Sequence, residues 1–259
     1  MAGDLKIDAR RRRILEILNR DGSVKVSQLS ETLGATPVTI RADLTALEKD
    51  EYLERTTGGA ILTSKNVFKV DSMRRMQVNI AQKKMIAAKT AELVNDGQTL
   101  ILNSGSTAFL TAIELKQRKN LNILTNSTEV ALELGSQPTF HVVLLGGEIN
   151  AQYGFTFGND AMAQLRNYKA DFAILAMDGI CSDIGITTFH VEEAAVDRAM
   201  IDRARRVIIV ADSSKYEHEG FSFVSDLRNV STWITDTGLD KDSAKKIEAL
   251  GVEVIIAGE

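Results

Sequence analysis

The chain has 259 residues, 44% of them hydrophobic and 25% charged, with one cysteine and a formal net charge of -4. That length can bury a sizeable core in more than one folded unit, while the lone Cys181 excludes an intrachain disulfide or a cysteine-cluster metal site and suits a reducing compartment. No run of about 18 apolar residues occurs, and no apolar signal core accompanies Asp4, Asp8 and Arg10 to Arg13, so the expectation is a cytoplasmic protein that neither spans a membrane nor is exported.

The charge is unevenly spread. Residues 1–65 hold 11 Lys/Arg against 10 Asp/Glu, and the remainder 20 against 25. The acidic total therefore does not exclude nucleic acid. Arg10 to Arg13, Lys25, Arg41 and Arg55 are available to a phosphate backbone, although an arginine run also serves as a solvated helix face.

Residues 9–20 put Ile14, Leu15, Ile17 and Leu18 on one side of a helix and arginines on the other, and Asp21-Gly22 closes it. Ser23-Val24-Lys25-Val26 alternates like a short edge strand. Ser27 is expected to cap a second helix with Leu29 and Leu33 inward, ended by Gly34. A third follows at once: Thr36 is its cap, Pro37 suits its first turn, and Ile40, Leu44 and Leu47 form its buried stripe. Two short helices around a tight glycine turn have the helix-turn-helix layout. Residues 52–62 then supply two strands about a Gly58-Gly59 turn, as a wing does. Docked in a major groove, the third helix would aim Thr36, Pro37, Val38, Thr39, Arg41 and Ala42 at DNA. Arg13, Ser27, Arg55, Thr57, Gly58 and Gly59 complete the expected DNA-binding set.

The runs Arg13-Ile14-Leu15-Glu16-Ile17-Leu18, Val24-Lys25-Val26-Ser27-Gln28-Leu29-Ser30, Thr39-Ile40-Arg41-Ala42-Asp43-Leu44-Thr45-Ala46-Leu47-Glu48 and Gly58-Gly59-Ala60 resemble the DeoR family of bacterial sugar-operon repressors. The chain departs from that family at Ala42, where a second arginine is usual, and at Thr57, where histidine is common. Losing one cationic side chain from a reading helix removes about one phosphate or guanine contact, roughly 1–3 kcal/mol of discrimination.

Residues 66–95 are polar and mostly helix-forming, anchored by Met76, Ile80, Met85, Ile86 and Leu93, and read as a helical linker. Arg75, Asn79 and Lys83 match the resembled family there, with Gln82 in place of its glutamate. A solvated helix face accounts for them equally well.

After Gly97 short apolar runs alternate with helical stretches: 99–102, 122–125, 141–145, 172–176, 207–210, 233–235 and 252–256. Such a pattern implies a mainly parallel sheet covered on both faces, whose ligands bind beyond the carboxyl ends of the strands. Those ends are polar or glycine-rich. Asn103-Ser104-Gly105-Ser106-Thr107 opens a helix and suits an anion, though such turns also serve as plain caps. Thr125-Asn126, Gly146-Gly147, Asp178-Gly179 and Asp212-Ser213-Ser214-Lys215 close later strands. Lys215 would add charge to a phosphate, or make a surface ion pair. Asp178 and Glu193 would accept sugar hydroxyl protons, Asn126 would do both, and Thr187-Thr188 would cover the ligand.

The same motifs, with Glu193-Ala194, resemble the DeoR-type sensor domain, whose fold is similar to ribose-5-phosphate isomerase and CoA transferases. The resemblance implies a phosphorylated sugar or polyol effector; Asn103 stands where aspartate is frequent. The expected organisation is a winged helix-turn-helix over 1–65, a helical linker over 66–95 and an α/β sugar-phosphate sensor over 96–259. The expected function is a repressor of a carbohydrate-utilisation operon, bound to double-stranded operator DNA as a homodimer or homotetramer. A sugar-phosphate isomerase-like enzyme carrying a DNA-binding head, with Lys215, Asp178 and Glu193 catalytic, is the alternative. A protein-binding adaptor is a third reading. No cofactor is expected, and no metal, because His141, His190 and His218 lack ligand spacing.

Overall fold

The computed structural model describes residues 2–50, 52–62 and 75–258. It divides into two compact units, Met1–Arg75 and Met76–Glu259.

In the first unit, α1 (Ala2–Asp21) begins earlier than the apolar pattern indicates. Ile14, Leu15 and Leu18 are buried against Leu29, Ile40, Leu44, Leu47, Leu53 and Ala60 in one small core. Gly22, at φ 70, turns the chain into β1 (Ser23–Lys25). Helix α2 (Val26–Leu33) then starts directly off the strand, so its cap position is Lys25 and Ser27 lies inside the first turn, contrary to expectation. The Val26 N–H, the first free donor of the helix, meets the Gly58 carbonyl at 2.9 Å, which anchors the helix start at β1. Gly34, left-handed at φ 61, ends α2 by donating to the Ser30 carbonyl.

Helix α3 (Pro37–Lys49) forms as its sequence dictates. Thr36 Oγ1 accepts from the Thr39 N–H at 3.2 Å and Pro37 occupies the first turn. The wing strands are β2 (Glu54–Thr56) and β3 (Gly59–Ile61), with β3 paired antiparallel between β1 and β2. The turn is therefore Thr57-Gly58, not Gly58-Gly59. Gly59 belongs to β3, where a Cβ would fall 1.9 Å from the Val24 carbonyl oxygen.

The second unit is built on a seven-stranded parallel sheet, in the order β15-β14-β12-β9-β4-β5-β6. Its strands are β4 (Thr99–Leu102), β5 (Asn122–Thr125), β6 (His141–Leu144), β9 (Ala170–Leu175), β12 (Ala204–Val210), β14 (Thr232–Asp236) and β15 (Glu253–Ala257). Alternate side chains divide between two cores. Leu100, Leu102, Ile208 and Val210 face one layer, while Ile101, Val207 and Ile209 face the other. Each such aliphatic side chain contributes about 1.5–3 kcal/mol when fully buried, so both faces must be covered.

One layer holds α4 (Ile80–Glu92), α5 (Ser106–Leu115) and α6 (Thr128–Gly135), and the other α7 (Gly158–Leu165), α8 (Val191–Asp202) and α9 (Lys241–Glu248). Of the expected linker, residues 66–74 lie outside the described residues. Its helical part, α4, buries Ile86, Ala87 and Ala91 and packs on α5, β14 and β15. This helix is thus a piece of the α/β core and not a spacer.

Two small antiparallel additions were not legible as strands. The hairpin of β7 (Glu148–Asn150) and β8 (Phe155–Phe157) follows β6. A second sheet, β10 (Gly179–Cys181), β11 (Gly185–Thr188) and β13 (Ser222–Ser225), stands beside the carboxyl end of β9. Among the described residues no helix is long and apolar enough to cross a membrane.

Candidate DNA-reading face and effector crevice

On α3 the stripe Ile40, Leu44 and Leu47 is buried, which leaves Pro37, Val38, Arg41, Ala42 and Thr45 exposed on the other side. Val38 is 73% exposed. The wing is fastened to this face. Arg55 Nη1 donates to Thr45 Oγ1 at 2.9 Å, and the Arg55 N–H donates to Glu48 Oε1 at 3.0 Å. Thr36, Thr57 and Gly58 are also exposed, so helix start and wing tip are offered together.

The arginine run is not a uniform basic face. Arg10 Nε and Arg11 Nε donate to the two carboxylate oxygens of Asp43, at 2.5 and 3.1 Å, and Asp43 is buried. These two arginines tie α1 to the inner side of α3. Arg13 pairs with Glu16 on the exposed face of α1. Asp43, which sequence reasoning passed over, fastens the inner side of α3 to α1.

In the second unit the chain leaves β4 in both directions across the sheet, towards β5 and β6 on one side and β9 and β12 on the other. A crevice opens at the carboxyl ends of strands on either side of such a switch point. Gly105, at φ 123, begins α5 there, and a Cβ on it would come within 2.9 Å of the Ala176 Cβ beyond β9. The Phe109 N–H donates to the Gly105 carbonyl, which makes the N–H groups of Ser106, Thr107 and Ala108 the helix-start donors.

Around that helix start the polar side chains form a linked row. Ser104 Oγ donates to Glu193 Oε1 at 2.7 Å. Thr188 Oγ1 lies 2.8 Å from Glu193 Oε2 and 2.9 Å from Asp178 Oδ2, and the Phe189 N–H donates to the same Asp178 oxygen. A hydroxyl has one hydrogen. With two carboxyl oxygens in reach of Thr188, a proton on one carboxyl completes the row. Burial, with the charge of Asp178 adding to it, pushes the Glu193 carboxyl above the usual carboxylate range. Beneath the row Asn103 is fully buried: its amide donates to the Ala176 carbonyl at 2.9 Å and to Asp197 Oδ1 at 3.2 Å, and accepts from the Ala176 N–H. Asn103 therefore staples β4 to β9 rather than facing a ligand.

The remaining expected residues separate. Asn126 is buried at the end of β5, and Thr125 Oγ1 accepts the Ser127 N–H. Gly146 and Gly147 lie past β6, where Gly146 donates to Gln164 and a Cβ on Gly147 would sit 2.4 Å from the Phe157 carbonyl oxygen. A Cβ on Gly179 would meet the His218 carbonyl oxygen at 2.0 Å, and Thr187 Oγ1 accepts from the Gly220 N–H. Backbone packing accounts for these glycines and for Thr187. Lys215 ends a short turn, Ser213–Lys215, capped by Asp212. The buried Asp212 also accepts from Asn79 Nδ2 at 3.0 Å, just ahead of α4. Asn79, which reads in the sequence as a surface residue, thus joins the amino end of α4 to the turn that carries Lys215, and Lys83 on α4 is buried as well.

Comparison with known proteins identifies the chain. The DeoR-like helix-turn-helix domain matches residues 10–66, and the DeoR C terminal sensor domain matches residues 78–237. The chain belongs to the DeoR family. It is 34% identical over 245 residues to the HTH-type transcriptional regulator YulB of Bacillus subtilis, covering 95% of each chain. It is 32% identical over 232 residues to the glycerol-3-phosphate regulon repressor of Escherichia coli K12, covering 90% of this chain and 92% of that one. Ribose 5-phosphate isomerase A from Methanocaldococcus jannaschii aligns with 53% of this chain and 55% of its own, at a TM-score of 0.40 and 18% identity.

This DeoR-family chain is therefore a transcriptional regulator with a DNA-binding winged helix-turn-helix ahead of an α/β sensor domain. Two residues of its sensor were passed over in the sequence. Asp197 lies four residues after Glu193, which places both carboxyls on one side of α8, and Tyr153 on the β7–β8 connection packs its ring 4.2 Å from that of His190. The first carried a legible signal in its spacing. The second did not, because the connection between those strands resembles any exposed loop.

Proposed function

We propose that this regulator represses a carbohydrate-utilisation operon, and that a phosphorylated sugar or polyol, bound at the carboxyl ends of β4, β5 and β9, controls its grip on the operator. The observation that carries the reading is the start of α5, where Gly105 brings three helix-start N–H groups to the switch point of the sheet. A helix start of this kind favours a dianionic group, and Lys215, in the turn after β12, supplies a point charge for it. Ser104, Asp178, Thr188 and Glu193 are hydroxyl and carboxyl partners for the rest of such a ligand. The relative named as a glycerol-3-phosphate regulon repressor lends support to a phosphorylated polyol as one member of the class.

The reading makes the chain a regulator and not an isomerase, in keeping with relatives named as transcriptional regulators. One head reads one half-site, so we place two or four copies on a repeated operator. Footprinting the full-length protein on DNA upstream of its own and neighbouring genes, with and without glycerol 3-phosphate, ribose 5-phosphate and hexose 6-phosphates, tests it. A protected repeat that one of these compounds weakens or strengthens is the expected result. A footprint indifferent to all of them, with no thermal shift of the protein, removes the effector half of the proposal.

A further inference from the structure

The buried polar atoms without a partner among the described residues include Asn126 Oδ1, His190 Nε2 and, beneath the polar row, Asp197 Oδ2; the first two border the β7–β8 hairpin. Buried polar atoms in a folded protein are nearly always bonded, so each such orphan needs an explanation. Asn126 has no exposed surface. Its Nδ2 donates to the Thr156 carbonyl at 3.2 Å, which fixes the amide: a flipped amide would set its oxygen against another acceptor. The oxygen is thereby held as a pure acceptor, turned from β8 at the carboxyl end of β5. No donor among the described residues meets it.

His190 stands at the other border of the same hairpin. It is the cap position of α8, one turn ahead of Glu193. Its ring packs edge-on against Tyr153 at 4.2 Å between centroids and tilts against Phe155 at 6.0 Å, and Phe155 bridges to Ser127, next to Asn126. The β7–β8 hairpin therefore connects Asn126, through Thr156 and the Ser127–Phe155 bridge, to the His190–Tyr153 pair.

We infer that Asn126 and His190, backed by Tyr153, form the hydroxyl-reading end of the effector site, which takes the neutral polyhydroxyl part of the ligand while the start of α5 takes its phosphate. This rests on the proposed effector reading. A ligand hydroxyl can donate to Asn126 Oδ1, and a second can donate to or accept from His190 Nε2 according to the ring tautomer. A flat ring or carbon chain covers the Tyr153–His190 wall. The phosphate sets affinity for the class, and these two side chains select within it.

The test is calorimetric titration of the full-length protein with inorganic phosphate, glycerol 3-phosphate, ribose 5-phosphate, glucose 6-phosphate and fructose 6-phosphate, on the natural chain and on His190→Ala and Asn126→Ala. Thermal melting confirms that each variant is folded, and His190→Ala serves if the buried Asn126→Ala is not. The expected result is that the tightest phosphosugar weakens at least tenfold in a folded variant, while inorganic phosphate changes less than twofold. Equal losses for both ligands, or none for the sugar, overturn the inference and leave the effector reading standing. If the natural chain binds inorganic phosphate but none of the phosphosugars, or binds neither, the effector reading fails and the inference with it.

Discussion

The Asn103 amide donates to Asp197 Oδ1 across 3.2 Å, and both residues are fully buried. Burial and the neighbouring Glu193 push the Asp197 carboxyl well above the usual aspartate range. Asn103, which stands where the family often has aspartate, is the uncharged partner that such a carboxyl tolerates. Asn103→Asp removes a donor from both the Ala176 carbonyl and Asp197 and sets two carboxyls together. The loss is expected to be about 2–4 kcal/mol at pH 7.5, read as a lower urea midpoint. Adding Asp197→Asn restores an amide–carboxyl pair and should recover part of it.

Glu193 and Asp197 are both raised, so the sign of their linkage is the same. Each contributes stability that is complete below its unfolded value, 4.5 for Glu193 and 3.8 for Asp197, and is lost as pH rises through the folded value. Glu193→Gln imitates the protonated form, keeping an acceptor for Ser104 and a donor for Thr188. Its melting temperature should exceed that of the natural chain at pH 8, with the gap closing as the pH falls below 4.5. The lowered carboxyls Asp171 and Asp226, the latter at about 2, act in the opposite sense and weaken the fold only in stronger acid.

Asp43 holds Arg10 and Arg11 from inside the head. Because its carboxylate is buried and both guanidinium groups are only partly so, Asp43→Ala should cost about 1–3 kcal/mol in chemical denaturation of the head and loosen α3 relative to α1. Operator affinity should fall with it, although the substitution removes a negative charge.

The exposed side of α3 carries Ala42 next to Arg41. Ala42→Arg should tighten binding to duplex DNA generally and steepen the dependence of log affinity on log salt by about 0.9, one phosphate contact. Unchanged affinity and slope would remove this face from the groove.

The seven strands of the parallel sheet were legible because each carries a short apolar run, buried on both faces in the central strands β4, β9 and β12, and α3 because Thr36, Pro37 and the Ile40, Leu44, Leu47 stripe agree. Strands of three or four residues such as β7, β8 and β10 carry too little alternation to stand out. The start of α5 was readable from its Ser-Gly-Ser-Thr turn. What could not be read was which polar groups the fold consumes: Asn103, Thr187 and Gly179 have the chemistry of a ligand site, and only their register against Ala176, Gly220 and His218 shows them spent on the backbone. Lys83 and Asp43 illustrate the converse, charged residues that pattern assigns to the surface and packing buries.

The proposed function requires a phosphosugar at the start of α5 to be coupled to the operator at α3, and a reciprocal titration measures that coupling. Operator affinity is measured by fluorescence anisotropy with and without the phosphosugar that shifts the footprint, and affinity for that phosphosugar with and without operator. Linkage requires the two ratios to be equal, and an effect of about 5–150-fold is the usual range. Equal ratios in that range are expected, both collapsing towards one in Lys215→Ala. Ratios of one in the natural chain, or a full response in Lys215→Ala, would contradict the coupling.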